Sequence, residues 1–200
     1  MWTAAILAGG QARRLGGLDK SALAVGTGVG TGVGIGLGIG AVPRSIREHQ
    51  LTVLRGLTPH ILIIGRDGIP DRVPGAGALG GLYTALVEAP TDQVVVVACD
   101  MPFLTAPFLA RLAAVGAESG VDAVVPCDAR GRHPLCASYR RQIAPRLKAR
   151  IDAGALRVRD ALSELTVREF GPDELAPFDA DGRLLTNVNT PEDYARAQTR

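Results

Sequence analysis

Val94-Val95-Val96-Val97-Ala98-Cys99-Asp100-Met101-Pro102 reads as a buried strand that ends on a carboxylate. Four consecutive valines put branched apolar side chains on both faces of a pleated strand. That is the pattern of a central strand in a parallel sheet covered by helices on both sides. Pro102 cannot donate to a ladder, so the strand stops and Asp100 falls just past its carboxyl end. Open α/β sheets bind ligands along that edge.

The start of the chain carries a matching signal. Ala4-Ala5-Ile6-Leu7-Ala8 is a short apolar run, followed by Gly9-Gly10, Arg13-Arg14, Gly16-Gly17 and Lys20. This is a strand emptying into a glycine-rich loop that carries cations. Glycine has no Cβ to hold a ligand off, so backbone N–H groups can approach a polyanion while Arg13, Arg14 and Lys20 neutralise it.

Between and beyond these two strands the pattern alternates. Pro43-Arg44-Ser45 opens a helix with apolar positions Ile46, Leu51, Val53, Leu54 and Leu57, and with Arg47, Glu48, His49 and Gln50 as its polar residues. Ile61-Ile64, ending at Gly65, reads as a short, fully buried strand. A Gly/Pro-rich loop over 68–77 leads into a helix from about Leu79 to Glu88. A helix from Ala106 to Glu118 follows, with Thr105 as its N-cap. Strands are expected at Val121–Pro126, Leu135–Tyr139 and Val167–Phe170, with Arg130-Gly131-Arg132 as a turn. Helices are expected around Ile143–Ala153 and Val158–Leu165. Thr190-Pro191-Glu192-Asp193 has the cap residue, N1 proline and early acids of a final helix start. The alternation predicts an α/β fold: a three-layer sandwich with a mostly parallel central sheet, Rossmann-like in arrangement.

Composition bounds the function. With 22 basic and 20 acidic residues the net charge is +2, which is no electrostatic footprint for nucleic acid or a membrane surface. Any phosphate contact must then be local, made by a few placed cations. Cys99, Cys127 and Cys136 are odd in number and form no C-x-x-C pair, so they are expected to be reduced, with no disulfide framework and no structural zinc. The N-terminus has no signal-peptide pattern. A soluble cytoplasmic protein is expected, folded as one domain over 1–200.

The exception to the regular pattern is a low-complexity insertion at about 26–42. Every even position from Gly26 to Gly40 is glycine. The stretch is uncharged, but each glycine costs a helix about 1 kcal/mol against alanine, which excludes a membrane span. Gly36-Leu37-Gly38-Ile39-Gly40-Ala41 matches G-x-G-x-x-A only because strict alternation makes such a match automatic. The tract is expected to be a loop or a weak extended segment.

Asp100 suits Mg²⁺, which favours one or two protein carboxylates supplemented by phosphate oxygens and water. Asn187-Val188-Asn189-Thr190-Pro191 places two amides on one side of an extended segment, each able to donate and accept.

Taken together, Leu7-Ala8-Gly9-Gly10, Arg13-Arg14, Gly16-Gly17, Asp19-Lys20, Gly77-Ala78-Leu79-Gly80-Gly81, Cys99-Asp100-Met101-Pro102, His133-Pro134 and Asn187-Val188-Asn189-Thr190-Pro191-Glu192 resemble the molybdenum cofactor guanylyltransferase family. The matches follow the family's order almost end to end. The resemblance implies a nucleotidyltransferase fold. It also implies transfer of GMP from GTP to molybdopterin-bound molybdenum, with release of pyrophosphate and dependence on Mg²⁺. It implies nucleotide contacts at Leu7, Ala8, Gly9, Gly10, Lys20, Asp71 and Asp100, with Asp100 also the metal ligand. Arg13, Lys20 and Asp100 are the implied catalytic set, and His133, Asn187 and Asn189 face the acceptor. Cofactor-delivery proteins or molybdoenzymes are the implied transient partners. The alternatives are a cytidylyltransferase acting on the same acceptor and a non-catalytic nucleotide-binding module. Gly9-Gly10 after Leu7-Ala8 favours GTP, since the cytidylyl relatives typically carry alanine at the first glycine. One family position near the end of the second strand is usually asparagine; here that strand ends at Ile64-Gly65 without one.

Overall fold

The computed structural model describes residues 1–9, 24–25, 44–188 and 193. In chain order the elements are β1 (Thr3–Ala8), β2 (Ala24–Val25), β3 (Arg44–Ser45), α1 (Ile46–Arg55), β4 (His60–Gly65), α2 (Gly77–Glu88), β5 (Gln93–Ala98), α3 (Ala106–Glu118), β6 (Ala123–Asp128), β7 (Gly131–Arg132), β8 (Cys136–Arg140), α4 (Ala144–Asp152), α5 (Val158–Leu162), β9 (Val167–Phe170) and α6 (Pro172–Leu175). The final helix expected at Thr190 and the interior of the glycine tract lie outside the described residues. The flanks of that tract are paired: β2 and β3 form an antiparallel ladder with Ala24 opposite Ser45.

The main sheet runs β4-β1-β5-β8-β6, with β9 parallel to β6 and β7 forming a hairpin on the end of β6. β1 is parallel to both β4 and β5, with Leu7 opposite Ile64 and Ala98. The sheet is thus mostly parallel, as the alternation predicts, but β8 enters antiparallel between β5 and β6. β5 is therefore central, yet parallel on one side only.

Strand alternation divides the core in two. Ala5, Leu7, Val94 and Val96 face one layer with Leu79, Leu82 and Leu86 of α2, Leu147 and Ile151 of α4, and Ala161 and Leu162 of α5. Ala4, Ile6, Val95 and Val97 face the other, with Leu54 of α1, Phe108 and Leu112 of α3, and Leu175 of α6. The valine run is buried on both faces because each face has its own helical cover.

Several expectations need correction. β4 is half-exposed along most of its length, with only Ile64 buried, because among the described residues β1 is its one strand partner, apart from a single bridge from Ile64 to Ile69, and it forms the sheet edge. Arg130-Gly131-Arg132 is not simply a turn, since Gly131 and Arg132 pair with Asp128 and Cys127. Thr105 occupies the N-cap position of α3 with extended backbone, but its side chain makes no capping hydrogen bond. Ser45 does cap α1, in a reciprocal box with Glu48. Gln50 leaves the polar face it was assigned to: Ile46, Gln50 and Leu54 form the buried stripe of α1.

Of the three cysteines, Cys136 is buried, and Cys99 and Cys127 are half-buried. Among the described residues no helix is long and apolar enough to cross a membrane.

Beyond β9 the chain packs Phe178 against Phe108 and Phe170, with ring centroids 6.1 and 6.5 Å away. Leu184, Leu185 and Val188 then bury, and the Val188 N–H donates to the Asp100 carbonyl at 2.8 Å. This anchoring returns the C-terminal segment to the end of β5.

Candidate functional site

Register alone aligns the carboxyl ends of three parallel strands, at Gly65, at Ala8-Gly9 and at Ala98-Cys99-Asp100. The Cys99 N–H donates to the Leu7 carbonyl at 3.2 Å, so the β5 exit lies directly against β1. Leu7 is buried, Ala8 half-buried and Gly9 exposed, which opens the backbone progressively toward solvent. Gly65 has φ +98°, and a Cβ there would stand 3.0 Å from the Gly9 nitrogen. The sequence departs from asparagine near this position, and the geometry gives a reason: the β1 exit packs too close for a side chain on Gly65.

The structure brings Asp71 to the same place. A Cβ added to Gly9 would lie 3.9 Å from Asp71 Oδ2, and one added to Gly81 would lie 3.8 Å from Oδ1 and 3.6 Å from Leu7 Cδ2. The carboxylate therefore sits between the β1 exit and the start of α2. Its loop is pinned by the buried Thr84 hydroxyl, which accepts from the Arg72 N–H at 3.0 Å and donates to the Gly80 carbonyl at 2.8 Å. Desolvation raises the Asp71 pKa above the usual carboxylate value.

Asp100 is held from several directions. Its carbonyl accepts from Val188, and its Oδ1 lies 3.3 Å from Asn187 Nδ2, which donates to it. The buried Gln50 donates through Nε2 to the carbonyls of Ala98 and Met101, at 2.8 and 3.0 Å.

His133 sits where the chain passes from β7 to β8. Its Nε2 lies 2.9 Å from Asp128 Oδ1. Arg130 grips Asp128 Oδ2 through Nε and Nη2, and its Nη1 donates to Thr186 Oγ1 at 3.0 Å. The hairpin carrying His133 is thereby tied to the segment carrying Asn187. Burial opposes the Asp128 charge, but the contacts from Arg130 and His133 outweigh it and hold its pKa at about 2.

Of the predicted site residues, Leu7, Ala8, Gly9, Asp71, Asp100 and Asn187 cluster along this edge, and His133 joins it through Arg130. Gly10, Arg13, Lys20 and Asn189 lie outside the described residues. Gln50, Thr84, Asp128 and Arg130 carry no motif. The one available signal for Gln50 is its spacing, four residues from both Ile46 and Leu54 on an apolar stripe.

An open α/β sheet that ends on a glycine exit and two carboxylates is the arrangement of a nucleotide-handling transferase. The comparisons make this specific. The model of the MobA-like NTP transferase domain matches residues 4–167. The chain is 34% identical over 207 residues to a probable molybdenum cofactor guanylyltransferase of Natronomonas pharaonis, covering 99% of this chain and 97% of that protein. It is 30% identical over 203 residues to a protein of the same name from Carboxydothermus hydrogenoformans, covering 97% and 93%. Among solved structures it is similar to molybdopterin-guanine dinucleotide biosynthesis protein A from Archaeoglobus fulgidus, with TM-score 0.78 and 26% identity over 98% of this chain and 96% of that one. The chain belongs to the MobA-like NTP transferase family and is a nucleotidyltransferase.

Proposed function

We propose that this chain transfers GMP from GTP to the terminal phosphate of molybdopterin-bound molybdenum. The observation that carries the reading is the convergence of the Asp71 and Asp100 loops on the exit of β1, in a chain whose relatives are named molybdenum cofactor guanylyltransferases.

In this reading a phosphate oxygen of the acceptor attacks the α-phosphorus of GTP. The new P–O bond forms as the bond to the β-phosphate oxygen breaks, and pyrophosphate leaves. The acceptor is already an anion, so no general base is needed, and catalysis rests on positioning and charge neutralisation. Asp100 fits a divalent cation. Its carboxylate stands at the strand end with one oxygen oriented by an amide donor. Among the described residues no group of three or more His, Cys, Asp or Glu gathers to form an all-protein cage. That donor set suits Mg²⁺, which completes its shell with phosphate oxygens and water. Mg²⁺ there would supply Lewis-acid stabilisation of the charge developing on the phosphates.

The chain's own residues divide the remaining work. Backbone groups of Leu7, Ala8, Gly9 and Gly10 meet the base. The desolvated Asp71 carboxylate offers two acceptors side by side, complementary to the paired N1–H and N2–H donors of guanine. Arg13 and Lys20 balance charge on the triphosphate. His133, Asn187 and Asn189 face the acceptor.

Each labelled nucleoside triphosphate, offered with Mg²⁺ and molybdopterin-bound molybdenum, tests the proposal. Transfer from GTP is expected. Exclusive use of CTP, or no transfer from any nucleotide, overturns it. Asp100→Ala is expected to abolish turnover with the circular dichroism spectrum unchanged.

A further inference from the structure

Gln50 is 2% exposed and lies on α1 between Ile46 and Leu54, both fully buried. An apolar residue at this position would continue the stripe. The carboxamide instead spends both N–H bonds on the carbonyls of Ala98 and Met101, at 2.8 and 3.0 Å. Those two carbonyls bracket Cys99 and Asp100, so a single amide spans the turn that carries the Asp100 carboxylate. The remaining acceptor, Gln50 Oε1, is buried and has no hydrogen-bond partner among the described residues. The fold thus keeps a polar group whose oxygen is unsatisfied where a hydrocarbon would pack, which is the mark of a position retained for its donors.

We propose that Gln50 is a positioning residue for the cation ligand: it braces the β5 turn and so sets where the Asp100 carboxylate stands. The role rests on the reading of Asp100 as the divalent-cation ligand. Other tethers of this turn include backbone groups of Leu7, Leu135 and Val188 and the Asn187 amide. Gln50 alone of these comes from a helix whose start is fixed by the reciprocal Ser45–Glu48 cap, while Ser45 also pairs with Ala24 in the β2–β3 ladder. Mg²⁺ and Mn²⁺ sites tolerate little ligand displacement, and loss of an outer-shell support typically weakens metal binding about 10–100-fold.

The test measures protein-dependent Mn²⁺ binding in the presence of GTP, as the loss of the free-Mn²⁺ electron paramagnetic resonance signal beyond that of a protein-free Mn²⁺–GTP blank, in the parent, Gln50→Met, Gln50→Asn and Asp100→Asn proteins. GTP binding in EDTA and the unfolding midpoint are measured on the same samples. Methionine preserves volume but offers no donor, and asparagine is one methylene too short to span both carbonyls. Both are expected to weaken Mn²⁺ binding by about tenfold or more, with metal-free GTP binding unchanged; a merely structural role would lower both or neither. Asp100→Asn is expected to lose that protein-dependent binding altogether. If Asp100→Asn loses it while folded Gln50→Met and Gln50→Asn match the parent, the positioning role is overturned and the Asp100 reading stands. If Asp100→Asn binds like the parent, the Asp100 reading fails, and the role of Gln50 with it. If neither Gln50 variant folds, the residue is structural and the proposal is overturned.

Discussion

Asn187 Nδ2 donates to Asp100 Oδ1 at 3.3 Å across a separation of 87 residues. The contact is exposed, so it contributes little to stability. Its value is in orienting a carboxylate oxygen at the strand end. Asn187→Ala is expected to lower kcat for nucleotide transfer by about tenfold, while stability stays within about 0.5 kcal/mol of the parent. Steady-state kinetics beside a thermal melt check this; an unchanged kcat would remove Asn187 from the site.

Asp71 is predicted to trade stability for binding. Its pKa is raised by desolvation, so the folded state disfavours the ionised carboxylate. The sign follows directly: above the raised folded pKa the charge destabilises the fold, and that penalty is relieved as pH falls through it. Asp71→Asn therefore raises the melting temperature at pH values above that raised pKa. The same change removes a charged acceptor and is expected to weaken GTP binding by about tenfold or more. Calorimetric titration and differential scanning calorimetry on one sample separate the two effects.

Gly116 of α3 faces a buried polar pair. Gln93 Nε2 donates to the Ala113 carbonyl at 2.6 Å and to Ser138 Oγ at 3.0 Å. A Cβ on Gly116 would fall 2.2 Å from Ser138 Oγ and 2.5 Å from Gln93 Nε2. Helix propensity favours Gly116→Ala by about 1 kcal/mol, but overpacking and a broken buried hydrogen bond cost about 3 kcal/mol or more. Net destabilisation of about 2 kcal/mol is expected in a denaturant melt, with kcat per folded molecule unchanged because the clash lies away from the strand exits.

Asp128 predicts an acid limb. Its folded pKa of about 2 lies below the ordinary value of 3.8. The stabilisation it contributes is complete above pH 3.8 and is lost as pH falls toward 2. With its side chain 18% exposed, the effect is at most about 2 kcal/mol. Asp128→Asn should flatten the stability profile between pH 4 and 2, measured by urea denaturation at stepped pH. It should also loosen Arg130 from Thr186, read as faster amide exchange over 184–188.

Much of the site was readable because it depends on strand ends. The valine run had to be buried on both faces, so the end of β5 had to meet the ligand edge, and Asp100 followed. The same logic placed Leu7, Ala8 and Gly9. Asp71 was different: nothing in its Gly/Pro-rich loop fixes a direction, and the Thr84 hydroxyl, which accepts from the N–H of Arg72 twelve residues earlier, helps to pin it toward Gly9. Gln50 was misread because a glutamine within Arg47-Glu48-His49-Gln50 looks like part of a solvated face. Its burial depends on α1 crossing the end of β5, a contact between residues 48 and 51 positions apart.

The sequence by itself indicated most of the elements and the strand ends that form the candidate site, since apolar period, glycine and proline act on backbone within a few residues of themselves. Tertiary structure decided which strands are neighbours. It set β8 antiparallel between β5 and β6, left β4 at the edge, and brought Asn187 and Gln50 to the end of β5 and Asp71 to the end of β1. Those placements are chosen by the free energy of burying two helical layers on one sheet, a quantity no local window of sequence contains.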